Sequence, residues 1–482
     1  MPELPEVETV RQVLLTQLIG KTITNVDVRY AKIIENVDSS IFIKDLTNEK
    51  FIDIKRKGKY LIFILMKHSL IVHLRMEGKF FFKESTLPIE KHEHLIFHLD
   101  HDFDLRYHDT RKFGRFVLLN TIDINEILIY PALQKLGPDA NLEVDVSYLY
   151  QKLRSCKTSI KQALLDQTII CGLGNIYVDE VCFMAGLNPE IASCTINYID
   201  AYNIVKAAKI VLDKAITLGG TTIRSYTSSL GVTGRFQNEL LVHCRENEAC
   251  QRCSTTILKT RVGGRGTYYC PNCQSKTKKL KIIGITGLIA SGKTTVTNYL
   301  TGLGNLVIDA DVINRELLDS SNPNNEAIIS AVKELFPELQ NDFNRHLLRE
   351  IIFTDEERRI KLQDLLYPII KNIIIERINQ EKNDIIVYTK TKNVYLSAPL
   401  LIESKMDTLC DEVWFVDCPK DILVNHLMAR DGMNKTEAIQ AINLRSNTVN
   451  LLKQLKINKI PYQVILNNQD INSLIQKIDN LI

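Results

Sequence analysis

The octapeptide Gly287-Leu288-Ile289-Ala290-Ser291-Gly292-Lys293-Thr294 constrains this 482-residue chain more than any other stretch. It satisfies G-x-x-x-x-G-K-[ST], a loop whose backbone N–H groups surround phosphates while the lysine neutralises them and the hydroxyl serves magnesium. Such a loop works only between a strand and a helix. Lys281–Thr286 reads as the strand, Thr295–Leu300 as the helix and Asn305–Asp309 as the next strand, predicting a β-α-β unit within an α/β domain. Gly287, Ala290, Ser291, Gly292, Lys293, Thr294 and Thr295 are therefore candidate ATP-binding residues, with Mg2+ as the companion ion. The loop alone does not choose between a small-molecule kinase and an NTPase switch or motor. Asp309 and Asp311 then place two carboxylates at the end of the second strand, the edge where α/β sheets bind ligands, and one of them could take a proton from an acceptor hydroxyl.

Upstream the pattern is different. From Thr22 to about Leu119 it consists of short β-branched and aromatic runs (Lys59–Leu65, Leu70–Leu74, Lys79–Phe82, Leu95–Leu99) that predict a β-rich domain behind an N-terminal helix. From Pro131 to about Gly219 the runs lengthen to helical period, with breaks at Gly137-Pro138, Gly172–Gly174 and Gly186–Pro189. The organisation expected is a β-rich domain over 1–130, a helical domain over 131–238, a cysteine module over 239–275, a bridge at 276–280 and the phosphate-loop domain over 281–482.

Within the module, Cys250-x-x-Cys253 and Cys270-x-x-Cys273 are separated by sixteen residues, the two-knuckle spacing that brings four thiolates to one zinc. Four protein ligands leave no open position, so the zinc is structural. Lys259–Tyr269 between the pairs reads as a hairpin turning at glycines, with Arg261 and Arg265 available to phosphates. The other seven cysteines lack ligand spacing and read as small buried hydrophobes. Charge supports the division: residues 1–280 carry 37 Lys+Arg against 31 Asp+Glu, and the remainder 23 against 26. The basic excess centres on Leu241–Leu280 and suits a nucleic-acid backbone. With 45% hydrophobic and 24% charged residues, no apolar run long enough to span a bilayer, and glutamates at 3, 6 and 8 where a signal peptide carries cations, the chain reads as a cytoplasmic globular protein with no membrane partner and reduced thiols.

The N-terminus adds a second chemistry. Proline at position 2 permits removal of Met1, which exposes a secondary amine; an α-amino group, with a pKa of about 7.7–8.0, is partly unprotonated at neutral pH and can attack a sugar carbon. Glu3 and Glu6 lie beside it to move protons. Met-Pro beginnings are common, and the surrounding motifs give this one its meaning. MPELPEVETV at 1–10, GKYL at 58–61, HLRMEG at 73–78, KHEH at 91–94, DTRKFG at 109–114, LGNIYVDE at 173–180 and GGTTIRSY at 219–226 occur in order before the cysteine module. Together they resemble formamidopyrimidine-DNA glycosylase across roughly residues 1–275, and Leu4 favours that family over the endonuclease VIII-type enzymes, which usually begin PEGPE.

The resemblance implies a β-sandwich, a helix-two-turn-helix domain and a zinc finger acting on double-stranded DNA with oxidised purines such as 8-oxoguanine and formamidopyrimidines. It implies Pro2 as the Schiff-base nucleophile, Glu3 as the proton donor to the sugar and Lys59 as an assisting phosphate contact. Met76, Arg111 and Phe113 would fill and wedge the gap left by the extruded base, Asn175 and Arg265 would clamp phosphates, and Lys157 and the loop around Gly220–Phe236 would border the flipped base. His92, His94, His98 and His101 are expected on a solvated strand face rather than at a metal. His243-Cys244 stands where the family usually has Tyr-Gly, and Cys171 replaces a small apolar residue.

In the C-terminal part, Val307–Asp311 (VIDAD), Ala398–Glu403 (APLLIE), Val413–Asp417 (VWFVD) and Leu427–Gly432 (LMARDG) resemble dephospho-coenzyme A kinase over residues 281–482. That implies ATP and dephospho-CoA as substrates, Asp311 as the base on the ribose hydroxyl, Lys293 on the transferring phosphoryl group and Arg430 reaching phosphates from a lid. Tyr367-Pro368 replaces the usual His-Pro, Ser397-Ala398 a more apolar lead, and Leu444-Arg445 a common glutamine. The expectation is a monomeric, multidomain α+β and α/β fusion of two enzymes. The alternative is a lesion-binding DNA module joined to a P-loop NTPase or other nucleotide kinase.

Overall fold

In the computed structural model of the chain, all residues are described except 143, 222–233, 278–279, 341–342, 386–391 and 444–447, with only the backbone described at 353 and 383–385. The described residues form two compact units, Met1–Lys276 and Thr277–Ile482.

In the first unit, helix α1 (Leu4–Leu18) precedes a sheet in which β1 (Ile23–Val28), β6 (Glu93–Leu99), β7 (Phe103–His108) and β5 (Lys79–Glu84) run in that order. Helix α2 (Ser39–Leu46) lies between β1 and the second sheet, ordered β2 (Asp53–Lys57), β3 (Tyr60–Ile64), β4 (Ser69–His73), β8 (Arg115–Leu119). All pairings are antiparallel. Phe63, Val72, Phe80, Phe97, Leu105 and Phe116 meet in one core between the sheets, which makes the domain a sandwich. β3 and β4 do not alternate apolar with polar because their outer face is also covered: Ile62, Ile64, Ile71 and Val117 pack under α3 (Ile124–Leu128) and α4 (Pro131–Gln134).

Helices α5 (Val146–Arg154), α6 (Ile160–Leu165), α7 (Asn175–Ala185) and α8 (Tyr198–Thr217) form a separate core. Helix α1 serves both cores: Leu4 enters the helical one, whereas Val7, Val10, Leu14 and Leu18 enter the sandwich. The expected hairpin is present as β9 (Leu258–Val262) and β10 (Arg265–Tyr269), joined at Gly263-Gly264. It is fixed to α7 by a buried polar cluster. Lys161 Nζ donates to Asp179 Oδ1 at 2.7 Å, to Thr267 Oγ1 at 2.9 Å and to the Gly266 carbonyl at 3.0 Å, while His243 Nδ1 lies 2.8 Å from Asp179 Oδ2. Glu180 accepts the N–H groups of Leu241, Val242 and His243.

The second unit is a five-stranded parallel sheet, ordered β12 (Leu306–Asp309), β13 (Lys392–Ser397), β11 (Leu280–Gly287), β14 (Glu412–Asp417), β15 (Tyr462–Leu466). The helices are α9 (Lys293–Gly302), α10 (Ala310–Leu317), α11 (Glu326–Leu335), α12 (Arg345–Thr354), α13 (Glu356–Ile385), α14 (Lys420–Asp431), α15 (Lys435–Asn443), α16 (Thr448–Ile457) and α17 (Ile471–Asp479). The phosphate loop leaves β11, between the neighbouring β13 and β14, so the ligand edge coincides with the point where strand order reverses.

Two expectations need correction. His94 is buried rather than solvated, because its Nε2 sits 2.8 Å from the Asp109 carbonyl beneath a turn. Cys244 is exposed, and Cys156 and Cys194 only partly covered, since Cys244 and Cys156 lie in a turn and a loop and Cys194 in a single short 3-10 turn, Ser193–Thr195, none of which fully covers its cysteine.

The Lys161–Asp179 pair is fully buried on both sides. Lys161→Met should leave an uncompensated carboxylate and lower stability by about 3–5 kcal/mol, read as a shift of the N-terminal unit's urea transition by far-UV circular dichroism.

Candidate active sites and metal centre

The N-terminal site is built around one carboxylate. Gly174 caps α7, and the side chain of Glu3 supplies what the helix end lacks: it accepts the N–H groups of Gly174 (2.6 Å), Ile176 (3.0 Å) and Tyr177 (3.4 Å). A Cβ at Gly174 would overlap the Glu3 carboxyl, so the glycine is required by close approach. Leu4 N–H donates to the Gly172 carbonyl at 3.0 Å, and Glu3 N–H donates to Glu6 Oε2 at 2.8 Å. Pro2 is thereby buried at the junction, and Met1 before it is half-exposed.

Lys59 reaches the same place from the β2–β3 turn. Its Nζ donates to the Leu173 carbonyl at 2.6 Å. Burial lowers its pKa, and the charges of Glu3 and Glu6 oppose that. Burial likewise raises the Glu3 pKa, with Lys59 opposing. The turn is held by Arg56, which donates to Glu8 at 2.9 Å and Asp139 at 2.7 Å, while Asp139 also accepts Gly58 N–H at 2.8 Å. Glu6 extends the knot, accepting the Tyr177 hydroxyl at 2.6 Å and the Thr221 N–H at 2.8 Å.

Asn175 Nδ2 donates to the Gly266 carbonyl at 3.0 Å, which sets exposed Arg265 beside the start of α7; Asn175 Oδ1 is buried without a partner among the described residues. Met76, Arg111 and Phe113 are exposed on turns of the sandwich, the Arg111 guanidinium 4.8 Å from the Phe113 ring centre. Lys157 is exposed on the turn before α6 and makes none of the bonds of the Glu3 knot. Most of the Gly220–Phe236 loop lies outside the described residues, as do Leu444 and Arg445. Sequence reasoning assigned no partners to Glu6 and missed Arg56, Asp139 and Gln167, whose Nε2 also reaches the Leu173 carbonyl. The i to i+3 spacing of Glu3 and Glu6 was the one local signal available, since it completes a capping box.

The four module cysteines bring their sulfurs within 4.8 Å of one another, with Cys250–Cys273 at 3.8 Å, Cys253–Cys270 at 3.4 Å and Cys253–Cys273 at 3.3 Å. Zinc at about 2.3 Å from each sulfur of a tetrahedron needs edges of about 3.8 Å, so the set fits that ion.

In the second unit, Lys293 Nζ donates to the carbonyls of Gly287 (2.9 Å) and Leu288 (2.8 Å), and Gly292, in the left-handed region, starts α9 without a side-chain cap. Ser291 Oγ is buried without a partner among the described residues. This cradle fits a polyphosphate. Asp309 caps α10 by accepting Asp311 N–H at 2.8 Å, which leaves Asp311 exposed at a cavity of about 480 Å3 lined also by Arg349, Leu366, Tyr367 and Pro399. Arg430 is paired with Asp431 at 2.7 Å near the end of α14, and His426 of the same helix lies 3.0 Å from the Ala290 carbonyl.

A sandwich, a helical domain and a zinc-stapled basic hairpin around a buried N-terminus define the architecture of a DNA-repair glycosylase, here continuous with a P-loop kinase domain. Family models match in the same order: "Formamidopyrimidine-DNA glycosylase N-terminal domain" over 1–116, "Formamidopyrimidine-DNA glycosylase H2TH domain" over 136–227, "Zinc finger found in FPG and IleRS" over 247–276 and "Dephospho-CoA kinase" over 281–471. Formamidopyrimidine-DNA glycosylase of Bacillus licheniformis is 42% identical over 278 residues, 57% of this chain and all of that protein, and the Listeria monocytogenes protein 38% identical over 275 residues, again 57% and 100%. Among solved structures, a Lactococcus lactis FPG mutant with Fapy-dG-containing DNA aligns with TM-score 0.54 at 40% identity, and the Lactococcus lactis Fpg with abasic-site DNA at 0.54 and 41%; each covers 57% of this chain and 100% of its own. The chain belongs to the formamidopyrimidine-DNA glycosylase family through its N-terminal part and carries a dephospho-CoA kinase domain after it. Among the described residues no helix is long and apolar enough to cross a membrane.

Gly174→Ala should displace the Glu3 carboxyl and lower lesion excision by about 10²-fold in single-turnover assays. Ala290 holds φ near 60° without being glycine; Ala290→Gly should raise the thermal stability of the kinase domain by about 1 kcal/mol, measured by calorimetry.

Proposed function

We propose that the chain is a bifunctional enzyme that excises oxidised purines from DNA, cleaves the resulting site, and phosphorylates dephospho-CoA. The glycosylase reading is carried by the convergence of Pro2, Glu3 and Lys59 on the start of α7. Once Met1 is removed, the Pro2 nitrogen attacks C1′ of the damaged nucleotide, and Glu3, which burial keeps protonated to a higher pH than an ordinary carboxyl, gives its proton to the ring oxygen as the sugar opens. The base leaves carrying the proton that the Pro2 nitrogen gives up, an iminium joins Pro2 to C1′, and loss of a proton from C2′ expels the 3′ phosphate and loss of one from C4′ expels the 5′ phosphate. Lys59, Asn175 and Arg265 hold phosphates; Met76, Arg111 and Phe113 enter the duplex; Lys157 borders the extruded base. The helices after residue 131 are read as a helix-two-turn-helix unit, and the zinc knuckle fixes the hairpin that carries Arg265.

In the kinase half, the reading rests on Asp311 lining a cavity shared with Pro399, whose carbonyl accepts the hydroxyl of Thr286, the residue before the phosphate loop. Asp311 takes the proton of the ribose 3′-hydroxyl, Lys293 leaves its loop carbonyls for the transferring phosphoryl group, and Arg430 exchanges Asp431 for phosphate. The Thr294 hydroxyl, at the first turn of α9, is the side chain that would hold magnesium, which when bound neutralises charge between the phosphates.

Borohydride reduction on duplex DNA with 8-oxoguanine opposite cytosine should trap a covalent adduct that maps to residue 2 and is absent from Glu3→Gln. No adduct from correctly processed, zinc-loaded protein would replace excision with lesion binding. The acid form of Glu3 is the working one, so the single-turnover excision rate should fall as pH rises through the raised Glu3 pKa, above the ordinary 4.5. Asp311→Asn should lower coenzyme A formation by about 10²-fold or more while ATP still binds; DNA-stimulated ATP hydrolysis with no coenzyme A product would point instead to an NTPase.

A further inference from the structure

Met76 lies in the turn between β4 and β5, and Arg111 with Phe113 in the turn between β7 and β8. A buried tyrosine passes between these turns. Tyr107, near the end of β7, is 0% exposed, and a Cβ at either Gly78 or Gly114 would overlap its hydroxyl. Gly78 closes the Met76 turn, donating its N–H to the Leu74 carbonyl at 3.0 Å, and Gly114 follows Phe113. Neither glycine has a positive φ, so close approach is what demands them, of the phenol at Gly114 and of both the phenol and the Leu74 carbonyl at Gly78.

The same hydroxyl donates to Asp109 Oδ2 at 3.3 Å. Asp109 is also 0% exposed, and its carboxylate accepts the N–H groups of Arg111 (3.0 Å), Phe113 (2.9 Å) and Gly114 (2.9 Å). At the surface the Thr110 hydroxyl donates to Glu77, the neighbour of Met76. Below the Met76 turn, His73 Nδ1 accepts Arg75 N–H at 2.9 Å; burial, with Arg75 and Lys59 nearby, holds this histidine down at about 3, so the acceptor stays neutral.

We propose that Tyr107 and Asp109, with the Thr110–Glu77 link, are positioning residues that join the two turns into one preorganised insert, so that Met76, Arg111 and Phe113 enter a duplex as a unit. The inference rests on those three residues being the ones that enter DNA. Two independent turns would each lose conformational freedom on insertion; here the β7–β8 turn is tied to a buried carboxylate, and both turns pack on a shared phenol and are joined by the Thr110–Glu77 bond, so that freedom has been lost in folding.

The test uses the full chain in single-turnover excision of 8-oxoguanine opposite cytosine, beside cleavage of the same duplex carrying a preformed abasic site. Tyr107→Phe combined with Thr110→Val keeps the ring packing and removes the hydroxyl that packs against both glycines together with the Thr110–Glu77 bond. Excision should fall about tenfold and abasic-site cleavage less than about twofold. In a double-mutant cycle, Met76→Ala and Phe113→Ala should be non-additive in the parent and additive in the linked-pair variant. Exposed Thr110→Val alone should cost about threefold and guards against a folding defect in the double variant. Parent-like excision by the double variant, or additivity already in the parent, overturns the coupling. Parent-like excision by both Met76→Ala and Phe113→Ala overturns the insertion reading itself and the coupling with it.

Discussion

The N-terminal unit depends on a carboxylate placed at a helix end. Glu3 satisfies N–H groups at the start of α7 that would otherwise be orphaned, and in doing so fixes Pro2 between two domains whose cores are separate. Few side chains could do both. A neutral amide would accept fewer of those bonds, and a longer reach would leave Pro2 free to move relative to Lys59. Helix α1 then transmits the constraint, because Leu4 belongs to the helical core while Val7 and the residues after it belong to the sandwich. Position of Pro2 and association of the domains are one structural problem here.

Burying Glu3 and Lys59 together shifts each towards its neutral form, while their mutual attraction resists the shift. Neither group is left as an ordinary surface charge. The donors from α7 limit how far Glu3 rises, and the Leu173 carbonyl satisfies Lys59 without neutralising it. The result is a carboxyl group held above its ordinary range and an ammonium held below its own, facing one another at a buried junction.

What the sequence made legible was local chemistry with fixed spacing. Two Cys-x-x-Cys pairs, the phosphate loop and the Gly263-Gly264 turn each specify geometry within a few residues, and the structure has them as expected. The strands were legible as runs, though β3 and β4 carried no alternation because both their faces are buried. What was not legible came from sequence-distant partners. Nothing near Arg56 announces Asp139, 83 residues away, and nothing near Lys161 announces Thr267, 106 residues away. His94 was misjudged for the same reason, since a strand position looks solvated until a turn from elsewhere covers it. The roles of Pro2 and Glu3 came from family resemblance; composition and period alone left them an unremarkable Met-Pro beginning.

The two ligand sites use one piece of physics in opposite ways. Both lie at the start of a helix that a glycine caps without a side chain, Gly174 before α7 and Gly292 before α9. At α7 the protein supplies its own anion, so the helix end is spent on holding Glu3 and becomes part of the scaffold. At α9 no carboxylate is supplied among the described residues: Lys293 turns back onto loop carbonyls, and the buried Ser291 hydroxyl has no partner among them. A helix end filled by the protein's own carboxyl group orders that group, whereas one left open favours an anion from solution. Filling the α9 end with an internal carboxylate would remove that fold's reason to bind a phosphate, just as emptying the α7 end would free Pro2 from the geometry that holds it.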